Sequence, residues 1–295
     1  AIRSLGLDAR PLSALDLYAS GGKSTLINAA LHQNSLLVAN EMDTSRLSIL
    51  AKNLMKWGAP NVVTSSNDSS AFGRLPGYFD LLVVDAPCSR LPMLDKGQAP
   101  LDDWSVATIQ LCQQRQQRIL SGSLAALKKE GYLFYSTSSS SQEENEDIVD
   151  WIIAEFGFES VPLSIQADWE IKETTSQKKG AKGYRFYPQQ EGEAAFYFAV
   201  LRKTSPQATF SMLDTVLEEQ TSSPIQQIAA DWLQPADWYT FEQGDSLSVI
   251  PKSLSQDLRI LHNVLNIKNY GTQLGTQVGG RLIPSHDLAL SINPI

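Results

Sequence analysis

The sequence predicts an α/β protein organised around a mostly parallel sheet with helices on both faces. Three observations carry this. Residues 79–85 (FDLLVVD) are a continuous apolar run that ends on a carboxylate, as a buried parallel strand does. From residue 13 to about 203, strand-like runs alternate with helix-like runs, the order that builds parallel sheets through crossovers. Asp16, Glu41, Asp68 and Asp85 follow successive strands, at the carboxyl edge where open α/β sheets bind ligands.

The elements follow in order. Residues 13–18 (SALDLY) read as the first strand, followed by a Gly-Gly turn and a helix over about 23–31. Residues 36–39 (LLVA) form the second strand, ending at Asn40-Glu41. A helix over about 43–57 places Leu47, Leu50, Leu54 and Trp57 on its apolar side, and Gly58 is placed to close it as a C-cap. Residues 61–64 (NVVT) form the third strand and 79–85 the fourth. A long helix over about 105–128 leads into a fifth strand at 131–135. Ser141-Gln142-Glu143-Glu144 has capping-box spacing, predicting a helix from there to about 156. Residues 158–163 and 195–201 are late strands.

The texture changes after Lys203. Thr204-Ser205-Pro206 reads as a linker, and 209–295 mixes two short helices with short strands. Two domains are therefore expected, 1–204 and 205–295. Hydrophobic residues make up 42% of the chain and charged residues 19%, ordinary values for a globular protein. No apolar run approaches the ~18 residues that span a bilayer, and no signal-peptide pattern opens the chain. Two cysteines, Cys88 and Cys112, and three scattered histidines make neither a disulfide framework nor a metal centre. A monomer in a reducing cytoplasm, with no membrane and no metal, is the expectation.

The net charge of −8 argues against a generic nucleic-acid binder. Local basic patches remain open. The densest, Lys172 to Arg185, has Tyr184, Phe186 and Tyr187 beside it. It reads either as a solvated loop or as an RNA contact.

Gly21-Gly22-Lys23-Ser24 is not a phosphate loop, because the required Gly five residues before Gly22 is Leu17. The G-x-G-x-x-G dinucleotide spacing is absent too. Glu41, at the end of the second strand, is placed to accept hydrogen bonds from ribose hydroxyls. Strand-end acids also cap helices, and each of the four admits that plainer reading.

Several motifs occur together in one order: Asp16 with Gly21-Gly22-Lys23-Ser24-Thr25; Asn40-Glu41 with Arg46, Asn53 and Gly58; Asn67-Asp68; and Asp85-Ala86-Pro87-Cys88-Ser89. Further along come Trp104 with Cys112 and Gln116, Tyr135-Ser136-Thr137, Glu143-Glu144-Asn145-Glu146 and Gly183-Tyr184-Arg185-Phe186. This set resembles the Nop/Sun family of S-adenosylmethionine-dependent RNA cytosine-5 methyltransferases, notably the bacterial RsmF-like ribosomal RNA subgroup. The tail from Gly280 to Leu290 resembles the end of that subgroup's extra C-terminal domain.

The resemblance implies a Rossmann-like methyltransferase fold, with a mostly parallel seven-stranded sheet and one late antiparallel strand, over 1–204. It implies a small α+β, PUA-like RNA-binding domain over 205–295; because that region holds 4 basic and 9 acidic residues, its RNA contact is expected to be local, around Arg281 and His286. By carry-over, Gly21, Gly22 and Lys23 lie under the methionine part of S-adenosylmethionine, Glu41 holds the ribose with Arg46 beside it, Asp68 holds the adenine amino group, and Asp85 faces both cofactor and target base. Ribosomal RNA or the small ribosomal subunit is the implied partner. The family carries an RNA-binding segment before its first strand, which implies that more chain precedes residue 1.

Methylating carbon 5 of a pyrimidine needs a thiolate on carbon 6, attack of carbon 5 on the methyl sulfonium, proton removal and thiol elimination. The target base must also be single-stranded or flipped out. The family divides this between two cysteines. One follows the Pro of the fourth-strand motif and helps release product; here it is Cys88. The nucleophile follows the Thr after the fifth strand, where this chain has Ser138. Other departures are Tyr18-Ala19-Ser20-Gly21 for Cys-Ala-Ala-Pro-Gly, Arg90-Leu91-Pro92 for Gly-Glu-Gly, Ser141-Gln142 for Ser-Pro, and Glu193-Ala194-Ala195 for a second Gly-Glu-Gly. Catalytic positions drift while structural ones match. Three readings stand: a methyltransferase using Cys88 as nucleophile, a non-catalytic RNA-binding relative, and an unrelated α/β ligand-binding protein. Cys112, mid-helix, reads as packing.

Overall fold

Strands β1 (Ser13–Asp16), β2 (Leu36–Asn40) and β3 (Val62–Ser65) pair side by side in parallel. All but Ser13 are buried, which is why they read as short apolar runs rather than alternating ones. The structure, a computed structural model, describes residues 1–89, 105–187, 195–206, 232 and 237–292. Helices α1 (Gly21–Ala30) and α2 (Thr44–Trp57) make the crossovers. Gly58 ends α2 in the left-handed region at φ 74°, and its N–H donates to Leu54 O at 3.1 Å. A Cβ at Gly58 would stand 2.0 Å from Leu290 O. Gly58→Ala therefore combines backbone strain with a main-chain clash and is expected to destabilise the protein by at least about 1–3 kcal/mol. Urea unfolding checks this; an unchanged midpoint would contradict the Gly58–Leu290 approach.

The described residues form two compact units, one of Gly6–Asp68 with Ser211–Ile295, the other centred on Ser69–Phe210. The break expected at 204 does not coincide with this division. The physical reason is an added strand. β12 (Ile267–Tyr270) pairs antiparallel with β3, covering an edge that would otherwise present unpaired backbone groups. Asn266 N donates to Asn67 Oδ1 at 2.9 Å, and Ile292 N donates to Gly58 O at 3.1 Å. The C-terminal region otherwise folds as an antiparallel sheet of β10 (Trp238–Gln243), β11 (Ser246–Pro251), β13 (Thr272–Val278) and β14 (Arg281–Pro284), in that order. Helices α5 (Ser255–Val264) and α6 (His286–Leu290) accompany it. Leu247, Val249, Leu274 and Leu282 are its core, packed by Trp232, Trp238 and Leu288.

In the other unit, β4 (Phe79–Asp85) pairs in parallel with β5 (Leu127–Thr137), and β9 (Phe196–Lys203) pairs antiparallel with β5. β8 (Lys182–Phe186) and β7 (Lys172–Thr175) continue outward, and β6 (Phe158–Ser160) pairs with β9. Helices α3 (Val106–Ser123) and α4 (Glu146–Phe156) pack here. The late antiparallel strand is present, and β12 and the β7–β8 hairpin extend the sheet beyond the expectation.

Four boundaries differ. α1 begins at Gly21, so the Gly-Gly pair is its first turn. α3 stops at Ser123 because Leu127 pairs with Phe79 and Glu130 turns the chain at φ 65°. α4 starts at Glu146, after the proposed capping box. β6 ends at Ser160, before Pro162.

Candidate active site

The carboxyl ends of β1, β2 and β3 are drawn together by one amide. Asn40 Nδ2 donates to Leu17 O at 3.1 Å and to Asn67 O at 3.0 Å; its Oδ1 accepts from Ser65 Oγ at 3.0 Å and Asn67 N at 2.9 Å. Glu41, next along, is buried. Its Oε1 accepts from Asp43 N at 2.9 Å, and Oε2 is ion-paired with Arg46 Nη2 at 2.9 Å. No aligned hydrogen bond reaches that Oε2. Asp43 in turn caps α2, accepting from Arg46 N and Ser45 Oγ, which holds its carboxyl below the usual range.

Around this, Gly21, Gly22 and Lys23 form the first turn of α1, whose amides have no intrahelical partner. Asp16 is buried and accepts from Ser24 Oγ at 2.7 Å. Its role is to anchor the helix. A Cβ at Gly22 would meet nothing within 4 Å, whereas one at Gly21 would strike Asn53. Asp68 is exposed, beside Asn67, whose Nδ2 is buried without a partner. Open space at Gly22, a buried Glu41 carboxylate oxygen with no aligned hydrogen bond beyond its Arg46 ion pair, and an unpartnered donor on Asn67 fit the carboxylate, ribose and base of a nucleoside cofactor.

In the other unit, the loop after β4 is locked to the end of β5. Ser136 Oγ donates to Asp85 Oδ1 at 2.9 Å, and Ala86 N donates to Ser136 O at 2.8 Å. The hub is Glu144, fully buried. It accepts from Ser89 N at 2.8 Å, Ser89 Oγ at 2.5 Å, Ser139 Oγ at 2.6 Å, Ser141 Oγ at 3.1 Å and Gln116 Nε2 at 3.2 Å. Gln116 also donates to Pro87 O at 3.1 Å. Thr137 Oγ1 donates to Asn145 Oδ1 at 2.6 Å, and Asn145 Nδ2 donates to Ser139 O at 2.9 Å. The segments bearing Cys88 and Ser138 are thus fixed by one carboxylate and one amide.

Cys88 and Ser138 are both half-buried. Among the described residues the Ser138 hydroxyl makes no hydrogen bond. Among the described residues no base hydrogen-bonds to it. Tyr135 donates to Glu144 O at 2.6 Å, and burial pushes its phenol well above the usual range, so it stays a neutral donor. Burial raises the Cys112 thiol, and the nearby charges of Glu144 and Cys88 add to this. Cys112 is therefore a poor nucleophile.

The structure brings Asp85, Cys88 and Ser138 to one loop cluster, and Gly21, Gly22, Lys23, Glu41, Arg46 and Asp68 to the strand ends of the other unit. Asn40 and Glu144 were the residues that sequence reasoning left without a role. Both stood in quoted motifs, and a polar residue closing an apolar strand was the available signal for Asn40. Arg90-Leu91-Pro92, Trp104 and Glu193-Ala194 lie outside the described residues.

A mixed α/β scaffold with a mostly parallel sheet, acids at its strand ends and an Asp-Ala-Pro-Cys loop has the layout of a methyltransferase-type protein. The chain belongs to the 16S rRNA methyltransferase RsmB/F family, whose model matches residues 11–202. Ribosomal RNA small subunit methyltransferase F of Psychromonas ingrahamii is 34% identical over 190 residues, covering 63% of this chain and 38% of the relative. The protein of the same name in Aeromonas salmonicida is 35% identical over 187 residues, covering 63% and 39%. The chain thus spans about two fifths of the length of these curated relatives. Among solved structures, a methyltransferase homolog protein from Pyrococcus horikoshii is 28% identical with TM-score 0.55, covering 68% of this chain and 64% of that one. NSun6 from Pyrococcus horikoshii with SFG is 27% identical with TM-score 0.53, covering 66% and 48%.

Proposed function

We propose that this chain binds S-adenosylmethionine and ribosomal RNA in the manner of an RNA cytosine-5 methyltransferase, and that its methyl transfer is weak or absent. The observation that carries the second half is Ser138, a hydroxyl with no hydrogen-bonding base among the described residues, standing where the family has its thiol. The same observation favours a second reading, a non-catalytic relative acting as a ribosome-associated factor. Bound S-adenosylmethionine supplies an electrophilic methyl group. Glu41 would accept from the ribose, with Arg46 paired to it; the α1 amides at Gly21, Gly22 and Lys23 would take the carboxylate; Asp68 would accept from the adenine amino group. Asp85, fixed by Ser136, would orient the base.

Isothermal titration with S-adenosylmethionine, followed by bisulfite mapping of incubated ribosomal RNA, tests the pair of claims. Binding without 5-methylcytosine is the expected result. Glu41→Gln removes a charged acceptor and is expected to weaken cofactor binding by about 10- to 150-fold. Equal affinity would remove Glu41 from the site. The C-terminal region's RNA role rests on exposed Arg281 and His286. Because β12 covers β3, deleting 205–295 would disturb the sheet, so Arg281→Glu with His286→Ala is the cleaner probe.

A further inference from the structure

The basic stretch that reads from sequence as either a solvated loop or an RNA contact folds into the β7–β8 hairpin, with Lys172 opposite Arg185 and Thr175 opposite Lys182. Its turn is rigidly held. Buried Asp150 accepts from Ser176 Oγ at 2.5 Å, Lys178 N at 2.9 Å and Lys179 N at 2.9 Å. The Lys178 and Lys179 side chains stay exposed, and among the described residues neither has an acidic partner.

Strand alternation gives the hairpin two faces. On one, Phe186 and Tyr184 join Phe198, Ile171 and Trp169 around an apolar cavity of about 660 Å³ that Arg3 also borders. Trp169 is 53% exposed and Phe186 37%. On the other, Lys172, Arg185 and Tyr187 border a smaller polar cavity of about 240 Å³ with Gln142 and Glu146. Tyr187 is 50% exposed, and Lys172 Nζ lies 6.0 Å from its ring centroid.

Surface lysines on an outer strand discourage edge-to-edge pairing, and that alone would account for the charge. It does not account for three large aromatic groups left in water on the same few residues. Residues 171–187 carry five basic side chains and one acidic one in a chain of net charge −8. Aromatic faces interleaved with unpaired cations are what a single-stranded polynucleotide requires: stacking surfaces for bases and point charges for phosphates. A folded protein partner would not need the lysines.

The hairpin is also tied to the reaction loop. Arg185 Nη1 donates to Ser140 O at 2.6 Å, two residues beyond Ser138, while Nε donates to Glu146 Oε1 at 3.0 Å and Nη2 pairs with Glu146 Oε2 at 2.5 Å. An RNA strand engaged at Ser138 therefore has this hairpin as the adjoining surface.

We propose that the β7–β8 hairpin with Trp169 is a platform for a single-stranded RNA segment flanking the target nucleotide, its bases stacking on Trp169 and Phe186 and its phosphates meeting Lys178 and Lys179 at the turn. The proposal deepens the RNA-directed function above and rests on it. Fluorescence anisotropy of the full chain with a labelled twelve-nucleotide single strand, at several salt concentrations, is the test. Trp169→Ala and Phe186→Ala are each expected to weaken binding by about 5- to 150-fold. Lys178→Gln with Lys179→Gln should lower the slope of log affinity against log salt by about 1.4. S-adenosylmethionine titration should stay at wild-type values in all variants, and melting temperature in the lysine pair.

Wild-type affinity and salt slope in these variants would overturn the platform while leaving the RNA-directed function standing. A wild-type chain that binds no single strand at low salt would overturn both. Loss in the aromatic variants with an unchanged slope in the lysine pair would also overturn it, marking a docking face for an apolar protein segment.

Discussion

Glu144→Ala is expected to destabilise the unit that holds Cys88 and Ser138 by about 3–5 kcal/mol, among the largest losses available to a single substitution. Its carboxylate is fully buried and accepts from five donors spread over the β4 loop, α3 and the loop after β5. Hydrogen bonds to a charged group contribute about 1.5–3 kcal/mol each, and a buried donor left without a partner costs about 1–3 kcal/mol. Three of the donors are serine hydroxyls that can turn elsewhere, but Ser89 N and the Gln116 amide cannot. Those two set the floor.

Glu144→Gln separates charge from shape. The amide keeps one acceptor oxygen but turns an NH2 toward a cluster of donors, so about half the loss is expected. Urea unfolding of the two variants gives the comparison. A second readout is thiol reactivity in a Cys112→Ser background: releasing Ser89 should let Cys88 react with an aromatic disulfide reagent several-fold faster. If Glu144→Ala unfolds within about 1 kcal/mol of wild type, with Cys88 no more reactive, the network does not hold the loop.

The parts of the fold that follow from short-range pattern were legible. β2 and β4 are apolar runs bounded by turns, and both lie buried where such runs belong. Gly58 follows a helical stripe and takes the left-handed cap that only glycine adopts cheaply. The place of Glu41 was legible too: the acid that closes the second strand lies buried directly after β2. What escaped was set by distant partners. The β7–β8 hairpin reads as polar loop because its strands lie at the outside of the sheet, where lysine and threonine suit a half-wet ladder. The helix expected to run to 128 stops at Ser123: Leu124–Ala126 is a short 3-10 turn, and Leu127 already pairs with β4 as the first residue of β5. Ser141 and Glu144 have capping-box spacing, and Ser141 Oγ does contact the Glu144 N–H at 3.3 Å, but the carboxylate turns to Ser89, 55 positions away. No local pattern encodes that.

Methyl transfer to cytosine carbon 5 by this chain is expected to fall at least about 10³-fold below that of a two-cysteine relative, because losing the nucleophile of a catalytic unit removes most of its rate. Attack on carbon 6 needs an anion. A thiol with its reference pKa near 8.5 supplies a few per cent of one at neutral pH, whereas a serine needs a dedicated base. Ser138 has none in hydrogen-bond contact among the described residues. Ser138→Cys puts a thiol on a loop already held by Asn145 and Glu144. Restoration should nonetheless be partial, since the shortened loop at Ser20 and the departures at Arg90-Leu91-Pro92 remain. The informative experiment combines Ser138→Cys with Cys88→Ala and looks for protein covalently joined to RNA on a denaturing gel. If Cys88 serves product release, the double variant accumulates the adduct that Ser138→Cys alone resolves. If Cys88 is instead the nucleophile, the parent chain forms the adduct and Cys88→Ala abolishes it. Robust 5-methylcytosine formation that survives Cys88→Ala in the unaltered Ser138 chain would show that neither position does the chemistry assigned to it.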